Sequence, residues 1–144
     1  MKVIITSICC VVFTTLISQT YFNKYQVLAD SLETIYQIPS SVILAIAYHE
    51  SGAGKSVLAR KSNNHFGIVG KNPHYRSRYR YFKSDTASYE GFCKLICNKS
   101  FYRKLAGTDD AHQWILAISN AGYAENATAW RHKILAIIKR NELS

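Results

Sequence analysis

At 144 residues and 16.3 kDa, with 48% hydrophobic residues, the chain has room for one domain with a compact core, which excludes a two-domain enzyme. Eighteen Lys and Arg against nine Asp and Glu give a net charge of +9 and a pI of about 9.5. The expected partner is therefore a polyanion: nucleic acid, anionic lipid or bacterial cell wall.

Residues 1–20, MKVIITSICCVVFTTLISQT, carry one Lys and then an uncharged apolar run ending in small and polar residues near Ser18 to Thr20. This is the pattern of an export signal. The apolar part, Val3 to Ile17, is short for a bilayer span of about 20 residues; an uncleaved membrane anchor is the minor alternative. Either way the remainder lies outside the cytoplasm, in the periplasm, in the cell envelope or secreted. Export argues against nucleic acid as the partner.

From Tyr21 to Gln37, helical spacing of Tyr25, Leu28, Ala29, Leu32 and Ile35 predicts a helix broken at Ile38-Pro39. Pro39 with Ser40 and Ser41 opens a second helix, because proline suits a first turn and serine caps one. SSVILAIAYHES is apolar nearly all round, so it belongs in the core, and Gly52 ends it. A short helix follows over Ser56 to Lys61, then a turn at Ser62-Asn63-Asn64. Residues 65–83 alternate aromatic and basic side chains, with turn signals at Gly70 and Asn72-Pro73, and read as a small hairpin. Helices return over Thr86 to Cys97, Phe101 to Leu105, Asp109 to Asn120 and Asn126 to Asn141. The expected fold class is mostly α (α+β), with a small β-hairpin lobe beside a helical one. Cys93 and Cys97 fall on one helical stripe with Tyr89, Phe92 and Ile96, which reads as two buried thiols; a disulfide stays open.

The stretch HESGAGKS, His49 to Ser56, admits three chemistries. A phosphate-binding loop would need glycine where His49 stands, and a strand rather than a helix before it. A zinc protease would need histidine where Ala53 stands, and His65, His74, His112 and His132 show no ligand spacing, so no metal or other cofactor is expected. The third reading makes Glu50 a catalytic acid. It lies in the last turn of an apolar helix, where burial and the negative end of the helix dipole both favour the neutral carboxyl. A protonated glutamic acid is what a glycosidase uses against a leaving oxygen. The bland alternative is a helix-ending Glu in solvent or paired with Lys55.

Several boxes, in order, resemble one family. They are Ile38-Pro39-Ser40, Glu50-Ser51-Gly52-x-Gly54-x-Ser56, Leu58-Ala59, Asn63-Asn64-x-Phe66-Gly67-Ile68, Tyr81-Phe82 through Phe92, and Ala121-Gly122-Tyr123-Ala124 followed by Trp130 to Ile138. From about Tyr25 onward the chain is similar to the glucosaminidase family of bacterial peptidoglycan hydrolases, glycoside hydrolase family 73. The resemblance implies a lysozyme-like fold with a helical and a small β lobe flanking a groove. It also implies an endo-β-N-acetylglucosaminidase that cleaves the β-1,4 bond after N-acetylglucosamine in wall glycan. The family's general acid maps onto Glu50 and its active-site tyrosine onto Tyr123. Asn63, Asn64 and Phe66 map onto the groove border, unless the asparagines only shape a turn and Phe66 only fills core.

One departure stands out. Several family members are thought to use a second carboxylate from the β lobe, yet residues 65–84 contain no Asp or Glu. The candidates nearby are Asp85, Glu90 and Glu125. With none of them in place, the substrate's acetamido group or a water held by Tyr123 would serve instead.

Tyr75-Arg76-Ser77-Arg78-Tyr79-Arg80-Tyr81-Phe82-Lys83, as a strand, would put arginines on one face and Tyr75, Tyr79 and Tyr81 on the other. Tyr79 and Tyr81 are thereby candidates to pack on sugar rings, with the arginines facing anionic wall polymer. The expected partner is peptidoglycan, met by a monomer, with membrane contact only through an uncleaved anchor. Competing readings are a lytic transglycosylase, which uses a single Glu and forms an anhydro sugar, and a wall-binding module without catalysis.

Overall fold

The computed structural model describes the backbone of residues 3–143 and the side chains of residues 16–143. Among the described residues seven helices follow in order: α1 (Val3–Tyr36), α2 (Ser40–Ser51), α3 (Val57–Ser62), α4 (Asp85–Cys97), α5 (Tyr102–Leu105), α6 (Ala111–Asn120) and α7 (Ala127–Arg140). The predicted leader, 1–20, falls largely on side chains outside the described residues. The α1 backbone is continuous through its expected cleavage region, and Tyr21, Phe22 and Tyr25 just beyond it are buried. Among the described residues no helix is long and apolar enough to cross a membrane.

α2 is the centre of the molecule. Val42 through Ala47 are all 0% exposed, and the helix packs against α1, α4, α6 and α7. Fully burying each Ile, Leu or Val contributes ~1.5–3 kcal/mol, so this all-round apolar segment has nowhere else to go. Its start is capped differently from the expectation. Pro39 occupies the cap position, and the Glu33 carboxylate accepts the Ser40 N–H at 2.9 Å in place of a serine hydroxyl. α1 turns Tyr21, Phe22, Tyr25, Ala29 and Leu32 inward, while Ile35, predicted for the same face, is exposed.

The other helix starts follow their local signals. Ser56, Ser84, Asp110 and Asn126 each accept the backbone N–H three residues on, which satisfies a donor the helix leaves unpaired. Cys93 and Cys97 are free thiols on α4.

The expected β-hairpin is not formed. Residues 63–84 make an irregular excursion with one isolated antiparallel bridge, Val69 to Tyr79. Gly70 N–H donates to Arg78 O at 3.0 Å and Arg80 N–H to Ile68 O at 2.8 Å. Tyr81 N–H adds a third backbone bond, to Lys71 O at 3.1 Å, and side chains supply the rest. Buried Asn64 donates to both Ile68 O and Arg80 O and accepts from Ile68 N–H, and Asn72 accepts from the N–H groups of His74 and Tyr75. Packed aromatic stripes normally reward strand pairing, and here the like-charged arginines at 76, 78 and 80 lie on exposed chain instead.

Candidate active site

Glu50 sits in the last turn of α2, one residue before the chain leaves the helix through three successive left-handed residues, Gly52 (φ 55°), Ala53 (φ 56°) and Gly54 (φ 76°). The turn is tied by Ala53 N–H to Tyr48 O at 2.9 Å, Gly54 N–H to Ser51 Oγ at 2.8 Å and Ser56 N–H to Ser51 O at 2.9 Å. This sharp exit keeps the following chain off Glu50, which is half-buried at the edge of a groove of about 520 Å³.

The groove is bounded by Glu50, by Phe66 to Val69, by Arg78 and Tyr79, by Lys99 and Phe101 beyond α4, and by Gly122, Tyr123 and Glu125 from the α6–α7 connection. Trp130, in the first turn of α7, donates its indole N–H to Glu50 Oε1 at 2.7 Å. Its ring packs on Tyr123 at 5.4 Å. Tyr123 donates its hydroxyl proton to Phe66 O at 2.9 Å. Burial first, and the nearby Glu50 second, hold the Tyr123 phenol well above its ordinary value. It is therefore a neutral group whose proton is committed and whose lone pairs are free to accept.

The three candidate second carboxylates separate cleanly. Glu125 lines the groove with Glu50. Glu90 lies outside it, paired with Lys94 at 3.3 Å one turn along α4. Asp85 also lies outside it: Ser84 is the α4 cap, and Asp85 accepts from the Tyr25 hydroxyl at 2.6 Å, from His65 Nε2 at 3.2 Å and from Lys24 at 3.4 Å. Burial pushes the Asp85 carboxyl up, but these partners outweigh it and leave the group below its ordinary value.

Of the residues expected to bind sugar, Phe66 and Tyr79 border the groove. Phe66 is 2% exposed and stacks on Phe92 at 4.3 Å in the core, so its ring is a packing group behind the groove wall. Asn63, Asn64 and Tyr81 do not line it. Asn63 ends α3 in a left-handed conformation and donates to Phe82 O at 2.8 Å, Asn64 holds the irregular excursion together, and Tyr81 packs on His74 at 4.3 Å. Tyr79, the bridged residue, and its neighbour Arg78 border the groove together. Trp130 escaped the sequence reading, which saw it only as part of the final helix; its partner is eighty positions away. Among the described residues no cluster of His, Cys, Asp or Glu could hold a metal ion.

The family model described as mannosyl-glycoprotein endo-beta-N-acetylglucosaminidase, Glucosaminidase, matches residues 26–143. The chain belongs to this glucosaminidase family. No curated protein sequence matches it. Its fold is that of solved glycoside hydrolases. The catalytic domain of the autolysin Auto from Listeria monocytogenes superposes with a TM-score of 0.74 at 23% identity, over 88% of this chain and 85% of that one. A C-terminally truncated glycoside hydrolase domain of Salmonella typhimurium FlgJ gives 0.71 at 20% identity, over 88% and 99%. A peptidoglycan hydrolase from Sphingomonas sp. A1 gives 0.70 at 22% identity, over 87% and 90%. The glucosaminidase match covers all of the groove residues named above.

Proposed function

We propose that this glucosaminidase is an exported peptidoglycan hydrolase, an endo-β-N-acetylglucosaminidase cutting the β-1,4 bond after N-acetylglucosamine. In this reading residues 1–20 are an export leader or anchor and 21–144 the catalytic domain. The observation that carries it is Glu50, held by the Trp130 indole at the edge of a 520 Å³ groove that also holds Tyr123 and Glu125. A groove of that size suits a polysaccharide strand, and the autolysin and peptidoglycan hydrolase folds support wall glycan as the strand.

Glu50 is the general acid. It passes its proton to the glycosidic oxygen as the bond from that oxygen to the anomeric carbon breaks. Water adds to that carbon, and Glu125 accepts the proton water releases. The lone pairs of Tyr123 orient that water. Glu125 takes the place of the carboxylate that residues 65–84 lack. Tyr79 offers ring surface to the sugars, the buried Phe66 backs the groove wall, and Arg78 and Lys99 give the groove its positive charge.

Digestion of purified peptidoglycan with mass spectrometry of the products tests the reading. A reducing N-acetylglucosamine end is expected, and an anhydromuramic end would instead mean a lytic transglycosylase. Glu50→Gln should lower the rate at least ~100-fold, while Asp85→Asn, measured per folded molecule, keeps most of it. Full activity in Glu125→Gln would pass the second role to the substrate's own acetamido group. Absence of any cleavage by the native protein, with retention on the wall, would leave a binding module.

A further inference from the structure

Trp130 is 5% exposed, and among the described residues its indole is the hydrogen-bond donor that reaches Glu50. Tyr123, the other aromatic beside Glu50, has its proton engaged with Phe66 O and cannot supply one. An indole N–H is a donor only. The oxygen opposite it must present a lone pair, and the carbonyl-type oxygen of a neutral carboxyl accepts better than its hydroxyl oxygen, so this bond favours the acid proton on Oε2.

We propose that Trp130 is a positioning residue for the acid: it assigns the proton of Glu50 to Oε2 and holds the emerging carboxylate as that proton leaves. This rests on the reading of Glu50 as general acid. The bond grows stronger during the reaction, because a hydrogen bond to a charged acceptor is roughly twice as strong as one to a neutral one. Stabilisation that appears only as charge develops raises kcat and leaves KM alone.

The indole is well built for this. Asn126 caps α7, its side chain accepting from Ala129 N–H at 3.1 Å, and Trp130 N–H bonds back to Asn126 O at 3.0 Å. The ring is pressed between this first turn and Tyr123. The other charged or titratable groups bordering the groove are Arg78 and Tyr79 from the 63–84 segment, Lys99 beyond α4, and Tyr123 and Glu125 from the α6–α7 connection. None of these makes a hydrogen bond to Glu50 among the described residues, so the indole proton is the contact to remove.

The test replaces Trp130 with β-(3-benzothienyl)alanine, which keeps the ring shape and puts sulfur in place of N–H, alongside Trp130→Phe. Circular dichroism and thermal melting establish folding. Should the Phe variant fail to fold, the isosteric one decides. For the folded isostere kcat should fall about tenfold with KM within about twofold. A folded isostere whose kcat is unchanged, or whose KM rises as much as its kcat falls, overturns the proposal. Glu50→Gln assayed in parallel separates the two failures. If it stays active, the acid assignment falls and this inference with it; if it is dead while the isostere is unchanged, only the role of Trp130 falls.

Discussion

Replacing Tyr21 with Phe removes one oxygen from the centre of a buried network whose direction follows from its chemistry. His65 is 2% exposed, and burial holds its imidazole below the ordinary value, with Asp85 opposing only in part. A neutral His65 beside the Asp85 carboxylate places its proton on Nε2, 3.2 Å from Asp85 Oδ1, which leaves Nδ1 as an acceptor. The Tyr21 hydroxyl, 2.9 Å away, must donate to it, and the Tyr89 hydroxyl at 2.8 Å then donates to Tyr21. Ser51 Oγ approaches the same oxygen at 3.4 Å. Tyr21→Phe therefore strands two buried polar groups, His65 Nδ1 and the Tyr89 hydroxyl. At ~1–3 kcal/mol per orphan, the total is about 2–6 kcal/mol. Tyr89→Phe strands none, since Tyr21 keeps His65, and costs only ~0.5–1.5 kcal/mol. The double variant should cost less than the sum by ~1–2 kcal/mol, because the Tyr89 orphan disappears with its hydroxyl. Urea unfolding followed by circular dichroism gives all three values. Equal losses for the two single variants, adding without interaction, would refute the directed chain.

Three further predictions concern the same framework. His65 binds a proton near pH 6.5 when unfolded and resists it when folded. The unfolded chain then holds more protons in that window, so the His65 contribution is complete above about pH 6.5 and is lost as pH falls through the lower folded value. Asp85, depressed below 3.8, adds a second loss in the same direction at more acid pH, and urea midpoints should decline below pH 6.5 less steeply in His65→Gln than in the native chain. Ala53→Gly relieves a left-handed alanine, a conformation costing ~1–2 kcal/mol for a residue with a Cβ, so its melting temperature should be equal or higher with activity retained. Gly91→Ala places a Cβ 2.8 Å from Phe82 Cε1. With Phe82 4% exposed and unable to retreat, the variant should lose ~1–3 kcal/mol in the same urea assay.

The helical layout was legible because helix boundaries are local chemistry. Gly52, Ser56, Ser84 and Asn126 mark ends and starts through bonds to their own neighbours three or so residues away. The all-round apolar run of α2 announced a central helix, and its last turn announced Glu50. The 65–83 segment misled because alternation of aromatic and basic residues is necessary for a strand but not sufficient. A ladder also needs partner backbone and a face to bury, and the Asn64 side chain takes up Arg80 O in place of a strand neighbour. Ile35 misled for a related reason: periodicity says which residues share a face, and α1 is not covered along its whole length.

The sequence alone determined a strongly basic chain, most of the helix limits, the family to which the chain belongs and the position of the glutamate at the end of α2. Only the tertiary structure decided which groups share the space around that glutamate: Glu125 inside the groove, Asp85 drawn into the Tyr25 and His65 network, and Trp130 bonded to Oε1. The physical reason is range. A helix cap is satisfied within one turn, whereas a carboxylate's partner is chosen by how α2 and α7 pack, and that packing is the sum of many weak apolar contacts spread over the whole chain.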